Sequence, residues 1–204
     1  AITTIVTRLE HSRAEVREAV VDALRVVTEK GDEHAITRVG VRLEHANPEI
    51  RRAAIQAMVA VAEKGGKNVI TAIIMRLADS DPNVRQAAVE ALGNVAQKGD
   101  AHAVTSVAAI LEHEDPAIRQ VAMVALRVVT ERGDKNAIAA VCAHLTHVSA
   151  AEAIGIVAEK GNRHAIAALS ARLEHTRIKA RWSAVEALRV IVDQGDRHAI
   201  SAVS

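Results

Sequence analysis

Asp81-Pro82-Asn83-Val84-Arg85-Gln86-Ala87-Ala88-Val89-Glu90-Ala91-Leu92-Gly93 is the stretch from which the fold can be read. It carries a helix start: Asp81 is a side-chain cap for the first free amides, and Pro82 sits at the first helical position, where its missing N–H costs nothing. Val84, Ala88, Ala91, Leu92 and Val95 then recur at helical spacing and define one inward face. This predicts a helix running from Pro82 to Lys98, stopped at Gly99. The same start signal stands at Asn47-Pro48 and Asp115-Pro116. The lack of alternating apolar and polar residues argues against strands.

Working outward, a Gly-Asp pair or a close variant recurs at Gly31-Asp32, Gly65-Gly66, Gly99-Asp100, Gly133-Asp134, Gly161-Asn162 and Gly195-Asp196, at intervals of 34, 34, 34, 28 and 34. Fixed periods of this length mark stacked repeats. The chain divides into repeats 1–34, 35–68, 69–102, 103–136, 137–164 and 165–198, with a partial repeat at 199–204. Each full repeat reads as two helices. The first, as in Asp32 to His45, is capped by the Asp of the Gly-Asp pair and turns Ile36, Val39 and Leu43 inward. Gly31 is placed to end the preceding helix in the left-handed conformation. The expected fold is all-α, an α-solenoid of about six two-helix repeats.

Composition agrees. Half of the 204 residues are apolar, with no Phe, no Tyr and a single Trp. Such a chain can bury a continuous core and is not disordered. No apolar run approaches the ~18 residues of a membrane span, and Ala1 to Arg8 lack the pattern of a secretory leader. The lone cysteine, Cys142, excludes a disulfide framework and a cysteine zinc site and is compatible with a soluble, intracellular protein. With 26 basic and 25 acidic residues the net charge is +1, and the six repeats run −2, +3, −1, −1, 0 and +2, a patchwork unlike a nucleic-acid footprint.

The string from Asp81 to Gly93 resembles the HEAT-repeat consensus, and more narrowly the short HEAT-like repeats of phycobilisome-lyase-type proteins. The resemblance extends over the whole chain in register. It implies a right-handed superhelix, with first helices on the convex face and second helices on the concave face. It also implies that Arg17, Arg51, Arg85, Arg119 and Arg181 pair with the acid four residues earlier, such as Asp81 or Asp115, in the same or a neighbouring repeat. Arg13 and Arg177 replace that acid in repeats one and six. The other reading of these arginines is a basic stripe along the concave face.

Ten histidines raise the question of a metal. His34, His102, His164 and His198 share one repeat position, and His11, His45, His113, His147 and His175 another. Equivalent positions lie about 8–10 Å apart, one helix spacing, too far for shared ligation at ~2 Å. They read as junction residues. Only His144, three residues before His147, falls outside the frame, and no carboxylate adjoins the pair. Deoxyhypusine hydroxylases use HEAT-like repeats with His-Glu dipeptides, but here the order is reversed at Glu10-His11, Glu44-His45, Glu112-His113 and Glu174-His175. Only His113-Glu114 keeps it. Cys142 replaces Val6, Gly40, Ile74, Ala108 and Ser170 and reads as a small buried residue. No nucleophile–base arrangement or phosphate-binding glycine loop occurs. No cofactor, metal or catalytic residue is expected.

What varies between repeats is the outward stripe of the second helices: Glu18, Asp22, Arg25, Glu29; Arg52, Gln56, Val59, Glu63; Gln86, Glu90, Gly93, Gln97; Gln120, Val124, Arg127, Glu131; Trp182, Glu186, Arg189, Asp193. Val59, Val124 and Trp182 are apolar where polar residues prevail, which suits a protein partner. Trp182 replaces Glu18, Arg52, Gln86 and Gln120, with Lys179, Arg181 and Arg189 close by. It is read either as an interface anchor or as packing over the next repeat. The expected function is a non-enzymatic scaffold or linker subunit in a larger assembly. It binds a protein on its concave face through Arg25, Arg52, Val59, Val124, Arg127, Lys179, Trp182, Glu186 and Arg189. A bilin-lyase-like enzyme is the alternative that the resemblance leaves open, and a nucleic-acid-binding solenoid the third.

Two irregularities remain. Repeat five lacks six residues, including the Pro and Arg of its second helix, which predicts a helix about a turn and a half short and a notch between repeats four and six. Neither terminus carries a polar capping repeat, which predicts a segment of a longer array or an assembly that covers the ends.

Overall fold

The structure, a computed structural model, describes residues 1–144 and 149–193. Among these there are twelve α-helices and no strand. The chain divides into two compact units, Ala1–Gln97 and Lys98–Ser204. The first holds α1 (Ile2–Thr7), α2 (Ala14–Val27), α3 (Glu33–Gly40), α4 (Pro48–Val61), α5 (Lys67–Met75) and α6 (Pro82–Val95). The second holds α7 (Ala101–Ala109), α8 (Pro116–Val129), α9 (Lys135–Ala143), α10 (Ser149–Val157), α11 (Arg163–Arg172) and α12 (Ile178–Ile191). In unit one the second helices stack as α2, α4, α6, and each is backed by its own first helix. In unit two α8, α10 and α12 form one layer and α7, α9 and α11 the other.

The helix starts lie where the caps predict them. Asp32, Asp100, Asp134 and Asn162 accept the third amide of the following first helix at 2.8–3.0 Å. Asn47, Asp81 and Asp115 accept the second amide of α4, α6 and α8 at 2.8–2.9 Å. The inward face of α6 is buried from Val84 to Val95. Leu24, Met58, Leu92, Leu126 and Ile154 are equivalent core residues of successive second helices, each at most 1% exposed.

The helix ends differ from expectation. In repeats one to four the first helix does not stay α-helical to the junction: the last turn tightens to 3-10 geometry, at Arg8–Glu10, Val41–Glu44, Arg76–Ala78 and Ile110–Glu112. Second helices stop earlier than predicted, α6 at Val95 rather than Lys98, with Ala96 already extended. Gly31 therefore does not terminate α2. It is the third residue of a turn in which the Asp32 amide donates to the Glu29 carbonyl at 3.2 Å. Its φ is +85°, and no non-glycine among the described residues has a positive φ, so the turn is type II and calls for glycine at that place. The turn also stitches repeats together. The amides of Gly31, Gly65, Gly99, Gly133 and Gly161 donate to Val61, Val95, Val129, Val157 and Ile191, the last helical residues of the next repeat, at 2.7–2.8 Å. Basic residues reinforce this end: Lys30 donates to the Val59 and Ala60 carbonyls, and Arg132 to that of Ala158. On the first-helix side, Arg76 donates to Leu43 O and Arg172 to Ala143 O of the preceding repeat.

Repeat five is short as predicted: α10 has nine residues where α8 and α12 have 14. Its Gly155 is placed tightly, since a Cβ there would lie 2.9 Å from Val190 Cγ1 of α12. Alanine in a helix ordinarily gains about 1 kcal/mol over glycine, whereas overpacking against a stiff β-branched side chain costs about 1–3 kcal/mol. Gly155→Ala is therefore expected to lower the thermal midpoint, and Val190→Ala in the same chain to reverse the loss. A rise in midpoint for Gly155→Ala alone would mean that α10 and α12 do not approach this closely.

Candidate functional site

Asn47, Asp81 and Asp115, four residues before Arg51, Arg85 and Arg119, serve as helix caps. The recurring arginine clamps its own junction instead. One terminal nitrogen donates to the carbonyls six and five residues before it: Arg17 to His11 and Ser12, Arg51 to His45 and Ala46, Arg85 to Asp79 and Ser80, Arg119 to His113 and Glu114, and Arg181 to His175 and Thr176, all at 2.7–3.1 Å. Both carbonyls belong to the turn between the two helices, so one side chain satisfies two groups without partners in either helix. In repeats one and two the guanidinium also reaches the next repeat. Arg17 meets Glu49 at 3.3 Å. Arg51 grips Asp79 through two nitrogens at 2.6 and 2.8 Å, with the side chains 10% and 4% exposed. Burial works against the Asp79 carboxylate, but the Arg51 guanidinium and the Asp81 amide outweigh it and hold the carboxyl below its ordinary value.

The histidines of the second series are junction residues. The Nδ1 atoms of His11, His45, His113 and His175 accept the amides of Arg13, Asn47, Asp115 and Arg177 at 3.0–3.1 Å. Asp79 stands at the same position in repeat three and accepts the Asp81 amide through Oδ1 at 2.9 Å. No group of three or more metal-ligating side chains occurs among the described residues. His144 caps α9, whereas His147 and His198 lie outside the described residues. Cys142 is buried, and burial pushes its thiol up to about 11, far from a reactive thiolate.

Within unit one the variable stripe lines two adjoining depressions on the second-helix layer. One of about 160 Å³ is bordered by Arg25, Gln56, Val59, Glu90 and Asn94, with Ile55, Ala87 and Ala91 below. The other, of about 70 Å³, lies between α2 and α4 and is bordered by Arg17, Glu18, Glu49, Arg52 and Gln56. The structure thus brings Arg25, Arg52 and Val59 to one surface. Arg25 and Arg52 are held there by Asp22 and Glu49 of their own helices, both at 2.8 Å. Within unit two, Val124 and Arg127 are exposed on α8, and Lys179, Trp182 and Arg189 on α12. Trp182 is 62% exposed among the described residues. Glu186 is half-buried and pairs with Arg189 at 2.8 Å.

A family model for HEAT repeats matches residues 69–152. No curated protein matches the chain. Solved structures similar to it include a designed armadillo repeat protein in complex with the peptide (KR)4, at TM-score 0.43 and 16% identity over 93% of this chain and 99% of that one. An engineered protein is similar at TM-score 0.44 and 16% identity over 98% and 97%, and another at 0.43 and 19% over 99% of this chain and 60% of that one. The HEAT-repeat match thus covers part of the chain, and the described residues form an all-α array of paired helices with repeating junctions. Among the described residues no helix is long and apolar enough to cross a membrane.

Proposed function

We propose that this protein is a non-enzymatic scaffold or linker subunit of a larger assembly. It binds a protein partner through the outward surface of its second helices, the face that the HEAT resemblance makes concave. The observation that carries this reading is the contrast within one helix. The inward residues of α2, α4 and α6 keep their character from repeat to repeat, while Arg25, Arg52, Val59 and Glu90 change in charge and polarity and line adjoining depressions. A surface merely kept in water has no cause to place Val59 among charges. The same stripe in unit two supplies Val124, Arg127, Lys179, Trp182, Glu186 and Arg189.

The test is native capture with quantitative mass spectrometry. Wild-type protein is compared with an Arg25→Glu, Arg52→Glu, Val59→Asp variant and with a Trp182→Ala, Arg189→Ala variant. The expected result is a stoichiometric protein partner lost from at least one variant while helicity is unchanged. A partner retained by both variants would move the site off the second helices. Retention of a coloured tetrapyrrole with no protein partner would overturn the scaffold reading in favour of a lyase.

A further inference from the structure

Stacked repeats meet through two unlike faces: a leading face turned toward the preceding repeat and a trailing face turned toward the next. The leading face can be read from α4, where Ile50, Ala53, Ala57, Ala60 and Val61 are buried as α4 packs on α2. Their equivalents on α2 are Val16, Ala19, Ala23, Val26 and Val27, and none of these is buried. Val26 is 84% and Val27 49% exposed, whereas Val61, Val95, Val129, Val157 and Ile191, at the Val27 position, are each at most 2% exposed. Val16, Ala19 and Ala23 line, with Ile5, a depression of about 340 Å³ that Arg8 borders. An apolar surface of this kind calls for a covering partner.

The trailing face of repeat six shows the complement. Leu173, Val185 and Leu188 are half-buried, while Leu9, Val21 and Leu24, which hold those positions in repeat one, are buried where α4 adjoins them.

Charge decides what fits. Two ion pairs span the junction of repeats one and two. Arg17 of the trailing face meets Glu49 of the leading face at 3.3 Å, and Glu10 of the trailing face meets Arg42 of the leading face at 2.9 Å. The two uncovered faces carry the same four groups. Repeat six has Arg181 and Glu174 at the Arg17 and Glu10 positions, and repeat one has Glu15 and Arg8 at the Glu49 and Arg42 positions. The side chains of Arg8 and Glu174 have no partner among the described residues, and Arg181 engages only one terminal nitrogen there. This match is not general to the repeats, because Asn83, Ala117 and Lys179 stand at the Glu49 position in repeats three, four and six.

We propose that the leading face of repeat one docks on the trailing face of repeat six of a second copy of this chain. Val26, Val27 and Ile5 are then covered by the Leu173, Val185 and Leu188 surface, Glu15 meets Arg181, and Arg8 meets Glu174. The contact joins two different faces, so each pair of copies keeps one of each kind free and further copies can add. The scaffold reading concerns the outward stripe of the second helices, and its capture experiment stands or falls separately.

The test is sedimentation velocity of the purified chain over a concentration series, with circular dichroism to confirm unchanged helicity. The expected result is a mass that rises with concentration. Arg8→Glu and Glu174→Arg, each alone, should weaken association by about ten-fold or more, since each sets like charges opposite one another. Mixing the two variant proteins should restore it, because each then meets the opposite charge on the other, and so should both substitutions in one chain. Misfolding cannot mimic either recovery. The proposal is overturned by a monomer mass at every concentration up to about one millimolar. It is equally overturned if Arg8→Glu weakens association while Glu174→Arg does not, which would mark the leading face pairing with itself. Association indifferent to both substitutions, or no recovery on mixing, would also overturn it.

Discussion

Asp79→Asn is expected to destabilise the protein by about 3–5 kcal/mol, the usual cost of breaking a buried ion pair from one side. The physical reason is asymmetric. Asparagine keeps an oxygen for the Asp81 amide, but it takes from the Arg51 guanidinium, whose side chain is 10% exposed, the carboxylate it grips, leaving only the charge of Asp81 nearby. The pair lies between repeats, Arg51 opening α4 and Asp79 preceding α6, so the loss should appear as weakened coupling within unit one. Urea denaturation followed by circular dichroism measures it. Asp79→His separates the two roles of the residue. It supplies the ring nitrogen that His45 and His113 use at the same position, restoring the junction bond without the charge. It should therefore remain destabilised. If Asp79→His were as stable as wild type, the junction bond rather than the ion pair would account for the effect.

The pH dependence has a definite sign. The carboxyl of Asp79 is held below its ordinary value in the folded chain. Its contribution is therefore complete above the unfolded value of about 3.9 and is lost as pH falls through the folded value. The gap in denaturation midpoint between wild type and Asp79→Asn should be constant near neutrality and should close below about pH 4. A gap that opened on acidification would contradict the pairing.

Leu92→Ala is expected to cost about 3–5 kcal/mol, whereas Leu188→Ala, at the equivalent place in α12, should cost about 2 kcal/mol or less. Leu92 is fully buried, between α4 and its own first helix layer, and truncation there opens a cavity in a close-packed interior. Leu188 is only partly buried, so less transfer energy is lost and the site is closer to solvent. Thermal and urea midpoints of the two variants test the difference. Equal losses would mean that the core is as complete around α12 as around α6.

These two leucines occupy the same register in nearly the same sequence: Ala91-Leu92 follows Val89-Glu90, and Ala187-Leu188 follows Val185-Glu186. Sequence periodicity treats them as identical, and tertiary packing does not. The stripe has the same limit. Its members follow from helical spacing, but periodicity does not say that Arg25, Arg52 and Val59 border depressions while Trp182 stands in the open. The recurring arginine differs from its expected pairing for a related reason. Its spacing to Asp81 and Asp115 suggests an ion pair, but Oδ1 of each of those carboxylates accepts a capping amide two or three residues on. The clamp on the junction carbonyls does have a local signal, a fixed separation of five and six residues from arginine to junction.

What the sequence alone determined is everything set by short-range geometry: the two-helix period, the caps at Asp32, Asn47, Asp81 and Asp115, the inward face of α6, and the shortened second helix of repeat five. Each depends on residues within a turn or two of one another, where backbone geometry leaves few choices. Tertiary structure alone decided that Gly31 and its equivalents bond to the next repeat and that Arg51 takes Asp79. These contacts join residues about one repeat apart. Their partners are selected by how neighbouring helices stack, a quantity that no local run of residues encodes.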